Sequence, residues 1–196
     1  MRTLATALVC VALVVPALAQ GEDTNEMSPE EMMKVYETAA KPGPEHAMLA
    51  NGAGRWNCTV KSWTDPKGEP DVSEGTEEAE MIFDGRYLRA MFKGSMMGKP
   101  FEGMSTLGFD NVRKKFVGTW LDTMGTGIMA YEGDYNPQSK EMIFHGKYAD
   151  AMTGQEQTCR MVSRFVSDDQ HVFEMWGPDP TGGEAKWMEI TYNRAH

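Results

Sequence analysis

The chain has 196 residues, with 29 Asp and Glu against 19 Lys and Arg, and a net charge of −10. A surface of that sign repels phosphate backbones and anionic headgroups, which argues against nucleic-acid and membrane-surface partners. The length suits one domain with a sizeable core.

The N-terminus reads as a cleavable signal peptide, residues 1–19. Arg2 supplies a short positive region, residues 4–15 form an apolar run, and Ala17-Leu18-Ala19 is a small-x-small cleavage signal before Gln20. The run is too short to span a bilayer, which takes roughly 20 apolar residues. The expectation is therefore a secreted or periplasmic protein with no membrane segment after cleavage. Loss of Arg2 leaves 18 basic residues against 29 acidic ones, a net charge of −11. Cys10 leaves with the signal. The two remaining cysteines, Cys58 and Cys159, could form a disulfide in an oxidising compartment if their Cα atoms stood within about 7 Å; otherwise they are small buried hydrophobes. The many scattered methionines read as soft core filling.

Residues 20–50 are expected to form a polar tail and short helices, and residues 51–196 a single β domain. Ser28-Pro29-Glu30-Glu31 carries an N-cap, a proline at the first helical position and a glutamate three residues after the cap. Met32, Met33, Val35 and Tyr36 supply an apolar stripe, and Lys41-Pro42-Gly43-Pro44 ends the helix. A second short helix over about 45–50 stops at Asn51-Gly52-Ala53-Gly54.

From Arg55 onward, short β-rich runs alternate with turn chemistry. Strands are predicted over 55–63, 74–83, 86–93, 101–109, 115–121, 126–134, 140–147, 156–166, 170–176 and 185–194. Asp84-Gly85 is the strongest hairpin signal among the separators. Ten strands with no long helix between them imply an antiparallel meander, closed as a barrel or folded as a sandwich. Ala79, Met81 and Phe83 share a side, as do Leu88, Ala90 and Phe92, Phe101, Leu107 and Phe109, and Phe116 and Trp120. Polar residues intrude on several faces: Trp120 lies with Asp122, Met161 with Ser163, and Tyr87 and Met91 with Arg89. Mixed faces suit a barrel with a partly polar cavity, and also a small interior core with some amphipathic surface.

Gly54-Arg55-Trp56 at the first strand and Tyr192-Asn193-Arg194 at the last resemble the calycin signature. The resemblance implies an all-β, up-and-down antiparallel barrel of about eight to ten strands. Gly54, Trp56 and Arg194 would then be structural, with the guanidinium stacked on the indole at the barrel floor. His46, Asp84-Gly85-Arg86-Tyr87-Leu88, Lys99-Pro100-Phe101-Glu102-Gly103, Leu107-Gly108-Phe109-Asp110 and Trp120-Leu121-Asp122, taken with that closing motif, resemble the bacterial domain-of-unknown-function 1579 family over about residues 42–196. That likeness implies no reaction.

For chemistry, the four histidines, His46, His145, His171 and His196, show no metal-ligand spacing, and no zinc or nucleophile-elbow motif occurs. No metal and no cofactor is expected; a haem held by His145 is the minor alternative. Arg160 and Arg164 would clamp a carboxylate if they faced inward. The leading reading is an exported barrel, monomeric or homodimeric, that holds a small hydrophobic ligand. Trp120, Asp122, Tyr87, Met91, Met161, Arg160 and His145 are its candidate contacts. One alternative is a hydrolase or isomerase using Asp122 with His145 or Glu102. The other is an interaction module with a filled barrel and an exposed Met32, Met33 and Tyr36 stripe.

Overall fold

The computed structural model describes residues 27–179 and 182–196. The expected signal peptide and most of the polar tail lie outside the described residues. Helix α1, Pro29–Ala40, begins as its sequence dictates. The Ser28 amide donates to Glu31 Oε2 at 2.8 Å, and the Glu31 amide donates to Ser28 Oγ at 3.2 Å. No residue of α1 is buried, so the Met32, Met33 and Tyr36 stripe faces solvent. Only the helix's C-terminal end is tethered: Asn111 donates to the Ala39 and Lys41 carbonyls, and Arg86 Nε donates to the Ala40 carbonyl. Helix α2, Pro44–Ala50, buries His46 and Leu49.

Ten strands follow: β1 Gly54–Ser62, β2 Asp71–Ile82, β3 Tyr87–Met96, β4 Lys99–Asp110, β5 Lys115–Asp122, β6 Met129–Asn136, β7 Glu141–Ala149, β8 Glu156–Ser167, β9 Gln170–Pro178 and β10 Glu184–Arg194. Each pairs antiparallel with the next, and β1 pairs with β10 to close the barrel. The all-β up-and-down expectation holds, with barrel rather than sandwich closure. The Asp84-Gly85 hairpin is present, but its turn spans residues 83–86, with Phe83, Asp84 and Gly85 all at positive φ. Strand β6 starts three residues later than expected because Asp122 Oδ1 accepts from the Met124 amide, starting a loop that runs to residue 128.

Register separates the two wall faces, since directly paired residues point to the same side. From Trp56 the inward row runs through Glu77, Phe92, Gly103 and Asp122. The outward row carries cross-strand ion pairs, including Arg89 with Glu80, Arg113 with Glu132, Lys115 with Asp134 and Lys147 with Glu156.

At one end, α2 lies against β2, β3 and β4. Trp56 is 1% exposed and donates from Nε1 to the Gly52 carbonyl at 2.9 Å. The Arg194 guanidinium sits 4.1 Å from the Trp56 ring centroid and donates to the carbonyls of Asn51, Ala53 and Asp168. Gly54 lies at φ +132, and a Cβ there would stand 2.6 Å from Arg194 Nη1, so this floor admits only glycine. The opposite end, where β5 ends and β6 begins, is the mouth.

Candidate functional site

The interior is lined by two apolar clusters rather than one. Trp56, Cys58, Val60, Phe92, Phe101, Ile190 and Tyr192 form the first. Leu49, Phe116, Phe144, Cys159 and Met161 form the second, and Phe173 packs against both. Glycines keep the large rings flat along the wall. A Cβ at Gly103 would stand 2.3 Å from Trp120, one at Gly118 2.5 Å from Tyr131, one at Gly75 2.5 Å from Phe92, and one at Gly177 2.4 Å from Trp187. Rings laid over glycines on neighbouring strands line the barrel's interior space.

Polar groups project into this space. Glu77 lies about midway along β2, between Trp56 of β1 and Phe92 of β3. Tyr131 of β6 and Tyr192 of β10 face the same interior, as the registers Tyr131 with Gly118 and Tyr192 with Cys58 require. None of the three side chains has a hydrogen-bond partner among the described residues, whereas the only fully enclosed unpartnered polar side-chain atom is His171 Nδ1. The Glu77 carboxyl and the two hydroxyls thus each retain some accessible surface.

The low-polarity setting shows in the acidities. Burial pushes the Glu77 carboxyl up to about 7. Burial, followed by the charge of Glu77, raises the Tyr131 and Tyr192 phenols. Cys58 is pushed up to about 12 by burial and then by Glu77 and Glu74. His171 is pushed down to about 4 by burial and then by the charge of Arg194. It stacks on Tyr192 at 4.0 Å and meets the Trp56 ring edge-on at 4.5 Å.

The expected site residues divide between the two faces. Trp120, Asp122 and Met161 face inward, Trp120 and Asp122 at the mouth. Trp120 Nε1 donates to Asp122 Oδ2 at 2.7 Å, so Asp122 orients the indole and caps the strand. Tyr87, Met91, Arg160 and His145 are on the outer face and do not line the interior. Tyr87 lies across Gly108 there, and Arg160 pairs with Glu184 and stacks over Trp176. Arg164 also faces out, toward Glu141 and Glu174, so neither arginine forms an interior carboxylate clamp.

Glu102 is outside too, paired with Lys93, so Asp122, Glu102 and His145 do not converge. With His145 outside, the residue singled out for haem offers no interior ligand, and no metal-holding cluster occurs among the described residues. Cys58 and Cys159 are free, in separate clusters on β1 and β8, so the possible disulfide does not form and both are small buried hydrophobes.

Sequence reasoning missed Glu77, Tyr131 and Tyr192. For Glu77 the signal was parity: it shares a side with Ala79 and Met81, inside a run of glutamates that reads as a solvated face. A second opening, a cleft of about 480 Å³, lies at the floor between α2 and β8, with Met142 and Ser163 of the inner face on its wall.

A closed antiparallel meander with an arginine stacked on a buried tryptophan at its floor defines a calycin-like barrel. Residues 41–194 match the family described as "Protein of unknown function (DUF1579)", and the chain belongs to that family. No curated protein matches the sequence. Among solved structures, Rv2717c from M. tuberculosis superposes with a TM-score of 0.58 at 13% identity, covering 80% of this chain and 100% of that one. The S-type phycobiliprotein lyase CPES from Guillardia theta superposes with a TM-score of 0.52 at 11% identity, covering 82% of this chain and 97% of that one. At such identities the likeness is one of fold.

Proposed function

We propose that this chain is an exported carrier that holds a small, largely apolar molecule inside its barrel. The observation behind this reading is the interior itself: aromatic rings laid along the wall, with a carboxyl and two hydroxyls facing the hollow and lacking protein partners. Groups of that kind orient a ligand that aromatic and aliphatic walls retain. Asp122 and the outer-face residues carry no convergent catalytic geometry, which favours binding over turnover. The outer wall of ion pairs is the reverse of a lipid-facing barrel's apolar band, and supports a water-borne protein. The signal-like N-terminus supports export.

Native mass spectrometry of the protein purified from its own host tests the reading. The expected spectrum shows a chain beginning at Gln20 with a non-covalent small-molecule adduct that is lost on activation. A clean apo mass would overturn the carrier reading, and a chain retaining residues 1–19 would overturn export. A Soret band would replace the lipid-like ligand with haem.

A further inference from the structure

Resting on the carrier reading, the interior also indicates the charge of its occupant. Among the described residues its inward-facing ionisable groups are Glu77 on β2, Cys58 on β1, Tyr192 on β10, Tyr131 and Tyr135 on β6, Tyr148 on β7, Cys159 on β8, His171 on β9 and Asp122 at the mouth. Asp122 is engaged by the Trp120 indole and the Met124 amide, and Arg194 by floor carbonyls and the Trp56 ring. Arg160 and Arg164, the arginines that would neutralise a bound carboxylate, are outside. Among the described residues the deep interior therefore holds one unpartnered carboxyl and no free guanidinium or ammonium; the one base there, His171, is held neutral by burial.

We infer that the barrel selects an apolar organic amine, bound as its ammonium ion with the head at Glu77 and the body among the wall rings. An ammonium there meets an oxygen acceptor that nothing in the protein satisfies. The rings of Phe92, paired with Glu77 across β2 and β3, and of Tyr131 supply the quadrupole attraction that cations find in aromatic enclosures. A fatty acid, by contrast, would bring a second carboxyl into a site without a counter-ion, where like charges are costly.

At neutral pH Cys58, Tyr131, Tyr192 and His171 are uncharged, so Glu77 is the deep group that changes charge near pH 7. Selection for the ammonium should therefore strengthen as pH rises from 5.5 to 8, a range in which an alkylamine stays protonated.

Isothermal titration of the full purified chain with 1-naphthylmethylamine, 1-naphthylmethanol and 1-naphthoate tests this. At pH 8 the amine is expected to bind at least roughly tenfold more tightly than the alcohol, with the acid weakest; tenfold corresponds to about 1.4 kcal/mol. Glu77→Gln should abolish the preference while leaving alcohol binding in place, and Glu78→Gln, on the exposed outer face, should leave the preference intact. Equal binding of amine and alcohol by the wild-type chain, or a preference that survives Glu77→Gln, would overturn the amine inference and leave the carrier standing. If none of the three binds, both readings fail. Should Glu77→Gln not fold, the pH series on the wild-type chain decides: a preference that does not grow between pH 5.5 and 8 overturns the inference.

Discussion

At the scale of single residues, the interior places an acid and a base in surroundings that oppose their charged forms, with contrary effects on stability. The folded-state value of Glu77, about 7, lies above its ordinary 4.5, so on raising the pH the unfolded chain gives up that proton first. Stability from this group falls as pH climbs from about 4.5 to 7, by about 3 kcal/mol in all. His171 does the reverse: its folded value of about 4 lies below 6.5, so the unfolded chain takes up the proton first on acidification. Its contribution is whole above pH 6.5 and is lost as pH falls toward 4, again by about 3 kcal/mol.

The two slopes overlap and largely cancel. Glu77→Gln should therefore raise the urea midpoint at pH 7.5 and uncover a profile that climbs with pH between 4 and 6.5. An unchanged midpoint at pH 7.5 would show that Glu77 ionises in the barrel without penalty. Neither residue was legible as special in the sequence. A glutamate among glutamates reads as solvent-facing, because burying an acid without a partner breaks the usual rule for charged side chains.

At the scale of elements, the ten strands were legible because turn residues and period-two alternation are local signals. The choice of face was not. On β3 the outer row contains Tyr87, Arg89 and Met91 and the inner row Leu88, Ala90 and Phe92, and apolar side chains stand on both. The outer Tyr87 is apolar because it lies on Gly108, a contact only the folded register creates. The same glycine-and-ring pairing recurs on the inner face, at Gly75, Gly103 and Gly118.

Gly103→Ala should push Trp120 off the wall into the mouth, since overpacking of this kind costs about 1–3 kcal/mol or is relieved by displacement. The expected result is roughly tenfold weaker binding of 1-naphthylmethanol with a shifted tryptophan emission. Unchanged affinity and emission would mean the ring has room to move elsewhere. Gly133→Ala should instead prevent proper closure, because its Cβ would meet the Ile143 carbonyl oxygen and the Phe144 backbone, which cannot swing aside.

At the scale of the whole molecule, the barrel is held by its ladders and its two clusters, without a covalent link among the described residues. A Cys58–Cys159 bridge would have contributed about 5 kcal/mol for a loop of that length. With both thiols free, thermal unfolding should be indifferent to reductant, and a midpoint that drops on adding dithiothreitol would show that the cysteines pair in solution. The apolar stripe of α1 does not touch the core: α1 buries no residue.

The seam between β1 and β10 has a further consequence, for the order of assembly. Register at the seam joins Trp56 to Arg194, two residues near opposite ends of the barrel sequence. The intervening nine hairpin contacts can form between neighbours as the chain collapses, but this one has to wait until every other strand is in hand. Until then β1 and β10 are bare edges, the condition that invites pairing with another molecule. The floor interactions of Arg194 with Asn51 and Ala53, which precede β1, become available only with that closure. They hold the closed seam at the floor of the barrel.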